Sequence, residues 1–101
     1  MQSHPLSVFE KFDPQILALI KGTEKLALTG GALPRKYQLL IAMDLDAVHG
    51  ATNGVKNLMA QAIKAGATKE EIAEALRVAY HVCGVGCIHT AASALRELFP
   101  E

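Results

Sequence analysis

The segment Ala62-Ile63-Lys64-Ala65-Gly66-Ala67-Thr68-Lys69-Glu70-Glu71-Ile72-Ala73-Glu74-Ala75-Leu76 contains both a helix end and a helix start. Gly66 ends the first helix, because glycine readily adopts the backbone conformation that closes a helix. Thr68 and Glu71 have the spacing of a capping box, in which the side chain of each residue accepts a hydrogen bond from the backbone amide of the other at the start of the next helix. Apolar residues recur at helical spacing on both sides. The segment therefore predicts two helices joined by a tight turn.

Similar start and stop signals divide the rest of the chain. Asp13-Pro14 provides an N-cap followed by proline in the first turn, and Gly30-Gly31 closes that helix. Further helices are predicted from Leu33-Pro34 to His49-Gly50, from Thr52 to Ala65, from Thr68 to a break at Gly84, and from near Gly86 to Phe99. No segment alternates with the period of a strand. We predict an all-α fold, a single-domain antiparallel bundle of five to six helices over residues 1–101.

The predicted helix over residues 33–50 is apolar on almost all sides. Its apolar residues are Tyr37, Leu39, Leu40, Ile41, Ala42, Met43, Leu45, Ala47 and Val48. A helix that is apolar all round is usually buried. We therefore expect this helix to be the most buried of the set.

Composition limits the possible partners. Half of the 101 residues are hydrophobic, which is more than a small monomer needs and favours burial against further copies. The formal net charge is zero, so nothing drives counterion release and we expect no nucleic-acid partner. Residues 1–5 carry no charged or apolar leader, and no apolar run is long enough to span a bilayer. We expect a cytoplasmic protein with reduced cysteines and no membrane partner.

Three segments carry a resemblance to a known family. They are Leu33-Pro34-Arg35-Lys36, Leu40-Ile41-Ala42 and the segment over residues 62–76. In this order they resemble the carboxymuconolactone decarboxylase and alkylhydroperoxidase D family, over about residues 13–98. The resemblance implies a compact helical protomer that assembles into a homotrimer or homohexamer.

The peroxidase branch of that family carries a relay of Glu, Cys-x-x-Cys and His. The corresponding positions here are Leu39 for the glutamate, Ala51 and Gly54 for the cysteines, and Leu58 for the histidine. A dithiol peroxidase needs a thiolate, a resolving thiol and a proton shuttle. None of these groups is present at the usual positions, so the usual mechanism does not carry over. The decarboxylase branch has a turn similar to Cys83-Gly84-Val85, but it also keeps the histidine that Leu58 replaces.

Both cysteines lie in one short segment, His81-Val82-Cys83-Gly84-Val85-Gly86-Cys87-Ile88-His89. If a helix starts at Gly86, Cys87 lies in its first turn, where the helix dipole favours a thiolate. Cys83 lies at the opposite, negative end of the preceding helix. We predict that Cys87 attacks and Cys83 resolves, with His89 as the base and His81 or His49 near the substrate.

Two other interpretations of this segment stay open. A zinc site would use atom types that are present here, although His-x-Cys-x3-Cys-x-His is not a usual zinc spacing, and we predict neither a metal nor another cofactor. Alternatively, both cysteines pack as small apolar residues where two helices cross.

Two further groups are candidates for binding or acid–base chemistry. Asp44 shares a helix face with apolar residues, where burial raises a carboxyl pKa unless the group is paired, for example with Arg35 or Lys36 of another subunit. Asp46 and His49 are one turn apart and in reach of a hydrogen bond. Arg77, one turn before His81, is a candidate to bind a substrate carboxylate.

We therefore predict a cofactor-free, thiol-dependent oxidoreductase that reduces a small hydroperoxide. The alternatives are an acid–base enzyme of the lactone decarboxylase type, or a non-catalytic oligomeric member that binds a ligand or a metal.

Overall fold

The computed structural model describes residues 6–100, and all regular structure in that range is helical. The helices are α1 (Phe9–Phe12), α2 (Pro14–Leu28), α3 (Arg35–Val48), α4 (Thr52–Lys64), α5 (Lys69–Cys83) and α6 (Gly86–Leu98). The predicted all-α fold is confirmed, and α1 is a single turn that the sequence signals did not indicate. The leader-free segment over residues 1–5 lies outside the described residues.

The helix ends follow the predicted caps. Asp13 accepts a hydrogen bond from the amide of Ile16 at 3.2 Å, and proline follows it at the first position of α2. At the start of α5, the hydroxyl of Thr68 accepts from the amide of Glu71 at 3.0 Å, and the Glu71 carboxylate accepts from the amide of Thr68 at 2.9 Å. Both orphan amides are thereby satisfied, so local chemistry sets where α5 begins.

The core lies between α3, α4, α5 and α6, which pack on one another. The largest fully buried side chains are Leu39, Met43, Val55, Met59 and Ile72. Because these residues recur at helical spacing on each helix, each one presents a single apolar face to the centre.

The outer face of α3 corrects one expectation. Tyr37, Ile41, Leu45 and Val48 are 39%, 50%, 58% and 40% exposed, so α3 is not buried on almost all sides in this protomer. Only Leu39, Leu40, Met43 and Ala47 of this helix are buried. A single helix face can contact the core, and the apolar residues of the other face have no partner within residues 6–100 that buries them.

Helix α2 contributes little to the core. Leu17 is its one buried residue, whereas Leu19 and Leu26 are 62% and 85% exposed. The helix packs on α1 and α3. Within residues 6–100, no helix combines the length and the hydropathy needed to cross a bilayer.

Candidate functional site

The turn between α5 and α6 has the predicted geometry. Gly84 follows the last residue of α5, takes a positive φ of 88° and donates its amide hydrogen to the carbonyl of Tyr80 at 2.8 Å. Helix α6 begins at Gly86, so Cys87 lies in its first turn and Cys83 in the last turn of α5. The predicted break at Gly84 and restart at Gly86 are confirmed.

The two thiols of this turn differ sharply in exposure. Cys83 is exposed, and Cys87 is only 3% exposed within the core. Both are free, and the Cys87 sulfur donates a hydrogen bond to the carbonyl of Gly84 at 3.2 Å. A reagent that approaches from solvent therefore reaches Cys83 first. The sequence-based assignment of Cys87 as the attacking thiol stays a prediction, and exposure favours the opposite order.

The three predicted histidines lie on the surface. His49, His81 and His89 are exposed, and their rings form no hydrogen bond or ion pair within residues 6–100. The predicted contact between Asp46 and His49 is not formed. In the same part of the chain, no three side chains of His, Cys, Asp or Glu come together as metal ligands would.

A second arrangement of polar groups lies between α3 and α5. A groove of about 450 Å³ is lined by Tyr37, Leu40, Ile41, Asp44, Glu71, Glu74, Ala75 and Val78. The Oδ1 atom of Asp44 is buried and has no hydrogen-bond partner within residues 6–100. Removal of water from this carboxyl raises the pKa of Asp44 to about 6. The sequence-based suggestion that burial raises the pKa of this group agrees with the structure.

The nearest cations of α3 are already engaged. Lys36 forms an ion pair with Glu71 at 3.0 Å, and the hydroxyl of Tyr37 donates to the same carboxylate at 3.3 Å. Arg35 donates from Nε to the carbonyl of Leu28 at 2.8 Å. Arg35 also donates from Nη2 to Oε1 of Gln61 at 3.0 Å. Neither Lys36 nor Arg35 therefore neutralises Asp44 within the protomer.

The same contacts shift two pKa values near the groove. Hydrogen bonds from the Thr68 amide and from Lys36 hold the pKa of Glu71 below its ordinary value. The hydrogen bond to Glu71 raises the pKa of Lys36, so both groups stay charged near neutral pH.

Arg77 lies in a different groove, between α5 and α6. This groove has a volume of about 540 Å³ and is lined by Lys69, Ile72, Ala73, Leu76, Arg77, Tyr80, Ile88, Leu95 and Phe99. The guanidinium of Arg77 forms no ion pair within residues 6–100. Asp44 and Arg77 therefore line two separate grooves, and the structure does not bring them together in one pocket.

The family model described as the carboxymuconolactone decarboxylase family matches residues 14–97. The chain belongs to the carboxymuconolactone decarboxylase family. The match extends from the start of α2 into the last turn of α6, which confirms the resemblance predicted over about residues 13–98. Comparisons with curated proteins and with solved structures give no significant match.

In this carboxymuconolactone decarboxylase family member, the four positions to which the sequence resemblance assigns the peroxidase relay carry no acid, thiol or imidazole. Leu39 is fully buried, Ala51 precedes α4 and Leu58 is half-buried. At Gly54, an added Cβ would collide with the carboxylate of Asp46. The Asp46 side chain thus occupies the space that a cysteine at position 54 would need.

Sequence reasoning missed Glu74 and Val78 as residues that line a groove with Asp44. Their spacing with Glu71 and Ala75 places all four on one face of α5. That spacing was visible in the sequence, but it does not say which helix this face meets.

Proposed function

We propose that this member of the carboxymuconolactone decarboxylase family is a cofactor-free, thiol-dependent reductase of small hydroperoxides that uses Cys83 and Cys87. The observation that carries the proposal is the placement of one exposed and one buried free thiol on either side of a two-residue joint. In the proposed reaction the exposed Cys83 contacts the substrate, and the buried Cys87 reacts in the second step.

The exposure of the two sulfurs suggests the order of steps. The thiolate of Cys83 attacks one peroxide oxygen, so that an S–O bond forms, the O–O bond breaks and the leaving oxygen takes a proton to become an alcohol. Cys83 is oxidised to a sulfenic acid while the hydroperoxide is reduced. Cys87 then attacks the sulfenic sulfur, a disulfide forms and water leaves. An external dithiol returns both cysteines to the reduced state.

The second step requires Cys87 to leave the core. Cys83 and Cys87 lie on either side of the break at Gly84, so a disulfide between them requires their Cα atoms to come within about 4.4–6.8 Å of each other. No side chain caps the start of α6, but the hydrogen bond from the Cys87 sulfur to the carbonyl of Gly84 would have to break in this step. In this order of steps His89 keeps its proposed role in proton transfer, and His49, His81 and Arg77 are the proposed substrate contacts.

The proposal includes assembly into a homotrimer or homohexamer in the cytoplasm, where dithiol reductants are available. The apolar stripe of Ile16, Leu19 and Leu26 on α2 supports a contact between copies, because these side chains are exposed in the protomer. A Leu26→Glu variant should keep its helical circular dichroism and lose assembly mass in light scattering. Unchanged mass would place the contact elsewhere.

The test is hydroperoxide consumption with a dithiol reductant, together with intact mass. The wild type should consume peroxide and show a loss of 2 Da on oxidation, the signature of one disulfide. Cys83→Ser should abolish turnover, and Cys87→Ala, treated with peroxide in the absence of the dithiol, should react once and end in a sulfenic acid trapped by dimedone. Val82→Ala, an exposed neighbour of Cys83, is the matched control and should keep full activity. Turnover that survives Cys83→Ser would exclude this function.

Acid–base chemistry on an anionic lactone is a second candidate, favoured by Arg77. Its unpaired guanidinium lies at a groove with apolar walls, which suits a carboxylate with an apolar body. Neither a carboxyl group nor a histidine lines that groove, so Arg77 would act there by binding the substrate. Lactone turnover that is insensitive to thiol alkylation and lost in Arg77→Gln would support this function over thiol chemistry.

A further inference from the structure

We propose that the groove between α3 and α5 binds an amphipathic primary amine, whose ammonium group pairs with the carboxylate of Asp44. This site is separate from the two thiols, and the proposal does not depend on the hydroperoxide chemistry. It rests on the shape of the groove, on the charges that line it and on the Asp44 carboxyl group, which has no cation partner within residues 6–100.

The charges of the groove favour a cation. Asp44, Glu71 and Glu74 line it, whereas no lysine, arginine or histidine does. Lys36 neutralises Glu71 through their 3.0 Å ion pair, which leaves the other two carboxyl groups without a cation within residues 6–100. An anionic ligand would be repelled, and a positively charged one would be attracted.

The Asp44 carboxyl group is where the charge of the ligand would bind, because this residue lines the groove and forms no ion pair within residues 6–100. Its Oδ1 atom is closed to solvent, so the ligand would meet the part of the carboxyl group that lines the groove. An ammonium group offers three hydrogen-bond donors and a full positive charge, and it forms short charge-assisted bonds with a carboxylate.

The walls of the groove favour a ligand with a carbon chain. Leu40, Ile41, Ala75 and Val78 line it together with the ring of Tyr37. Ile41 and Val78 are 50% and 63% exposed, so a chain that lies across them removes apolar surface from water. A hydrated metal ion would leave these walls uncovered. A volume of about 450 Å³ has room for an amine of six to eight carbon atoms.

Proton release is the most diagnostic property of the proposed complex. Desolvation keeps Asp44 mostly neutral below pH 6 in the free protein, and an ammonium partner would favour the ionised form. The titrating groups of α5 that face Asp44 across the groove are Glu71 and Glu74, Tyr37 lines it from α3 itself, and no residue of α4 or α6 lines it. Binding at pH 5 should therefore release close to one proton, and binding above pH 7 should release almost none.

The experiment is isothermal titration of the full chain with hexylamine at pH 5 and pH 7.5, each in two buffers of different ionisation enthalpy. Hexanol and hexanoate, which have the same chain length, are the ligand controls. Hexylamine should bind at least tenfold more tightly than hexanol, hexanoate should not bind, and proton release should appear at pH 5 alone. Equal binding of hexanoate, or an absence of hexylamine binding, would overturn the proposal.

Two variants separate the groove from general charge effects. Asp44→Asn should weaken hexylamine binding at least tenfold and remove the proton release at pH 5. Asp46→Asn removes a carboxylate from the same helix outside the groove, against Gly54, and should leave affinity unchanged. An equal loss in both variants would refute the assignment of Asp44. A change in assembly mass for Asp44→Asn, with hexylamine binding unaltered, would instead identify a second copy as the occupant and refute the amine site.

Discussion

Asp44→Asn should make the stability of this protein less dependent on pH. The carboxyl group has a pKa of about 6 in the fold and an ordinary value of 3.8, because burial disfavours its charged form. A raised pKa means that the folded state binds the proton more tightly than the unfolded chain does. The resulting stabilisation is fully present below about pH 4 and is lost as pH rises through 6. An asparagine does not titrate and lacks this dependence.

The size of the effect follows from the shift. A shift of roughly two pKa units corresponds to about 3 kcal/mol of unfolding free energy. Asp44 is only partly buried and lines an open groove, so solvent screening reduces this to about 1–2 kcal/mol. The unfolding free energy of Asp44→Asn minus that of the wild type should therefore increase by this amount when the pH is raised from 4 to 7.5. The lowered pKa of Glu71 acts in the opposite direction, but it is common to both proteins and cancels in the difference.

The assay is urea unfolding followed by circular dichroism at pH 4, 5, 6 and 7.5, at one protein concentration so that assembly contributes equally. Ile41→Val, on the same wall of the groove, carries no titrating group and sets the baseline. Parallel curves for Asp44→Asn and the wild type over the whole range would refute the reasoning. They would mean that water or a partner already solvates the carboxyl group.

Three further predictions concern the turns around α5. Thr68→Ala should lower the unfolding free energy by about 1 kcal/mol in urea titrations, whereas Thr68→Ser should keep most of it, because the hydroxyl caps the amide of Glu71. Gly84→Ala should cost about 1–3 kcal/mol in the same assay. A φ of 88° with ψ of −172° is essentially restricted to glycine, so tolerance of alanine would contradict this backbone. A chromogenic disulfide reagent should label Cys83 within seconds and Cys87 only as the protein opens, and two equal rates would contradict their exposures.

The helix boundaries were predictable because their causes are local. Gly66, Thr68 and Gly84 act through backbone conformation and through hydrogen bonds within three or four residues. Such signals are readable wherever the surrounding sequence has helical spacing. The position of Cys87 in the first turn of α6 was predictable for the same reason.

Exposure was not predictable by the same means. Whether Cys83 or Cys87 faces solvent depends on how α6 packs on the core, which no local signal specifies. The outer face of α3 is as apolar as its inner face, so the pattern gave no way to tell Ile41 from Leu40. The groove beside Asp44 required the docking of α3 on α5, a contact between segments that are far apart in the chain.

The carboxylate of Asp46 lies against Gly54, one of the two positions to which the sequence resemblance assigns a cysteine. A cysteine at position 54 would require the carboxylate of Asp46, which is the end of a flexible side chain, to move away. At the position that the resemblance assigns to the glutamate, Leu39 is fully buried in the core. The thiol chemistry that we propose therefore uses the α5–α6 turn and none of these positions. Within residues 6–100, one free thiol lies on each side of the α5–α6 turn, and the α3–α5 groove holds a carboxyl group without a cation partner.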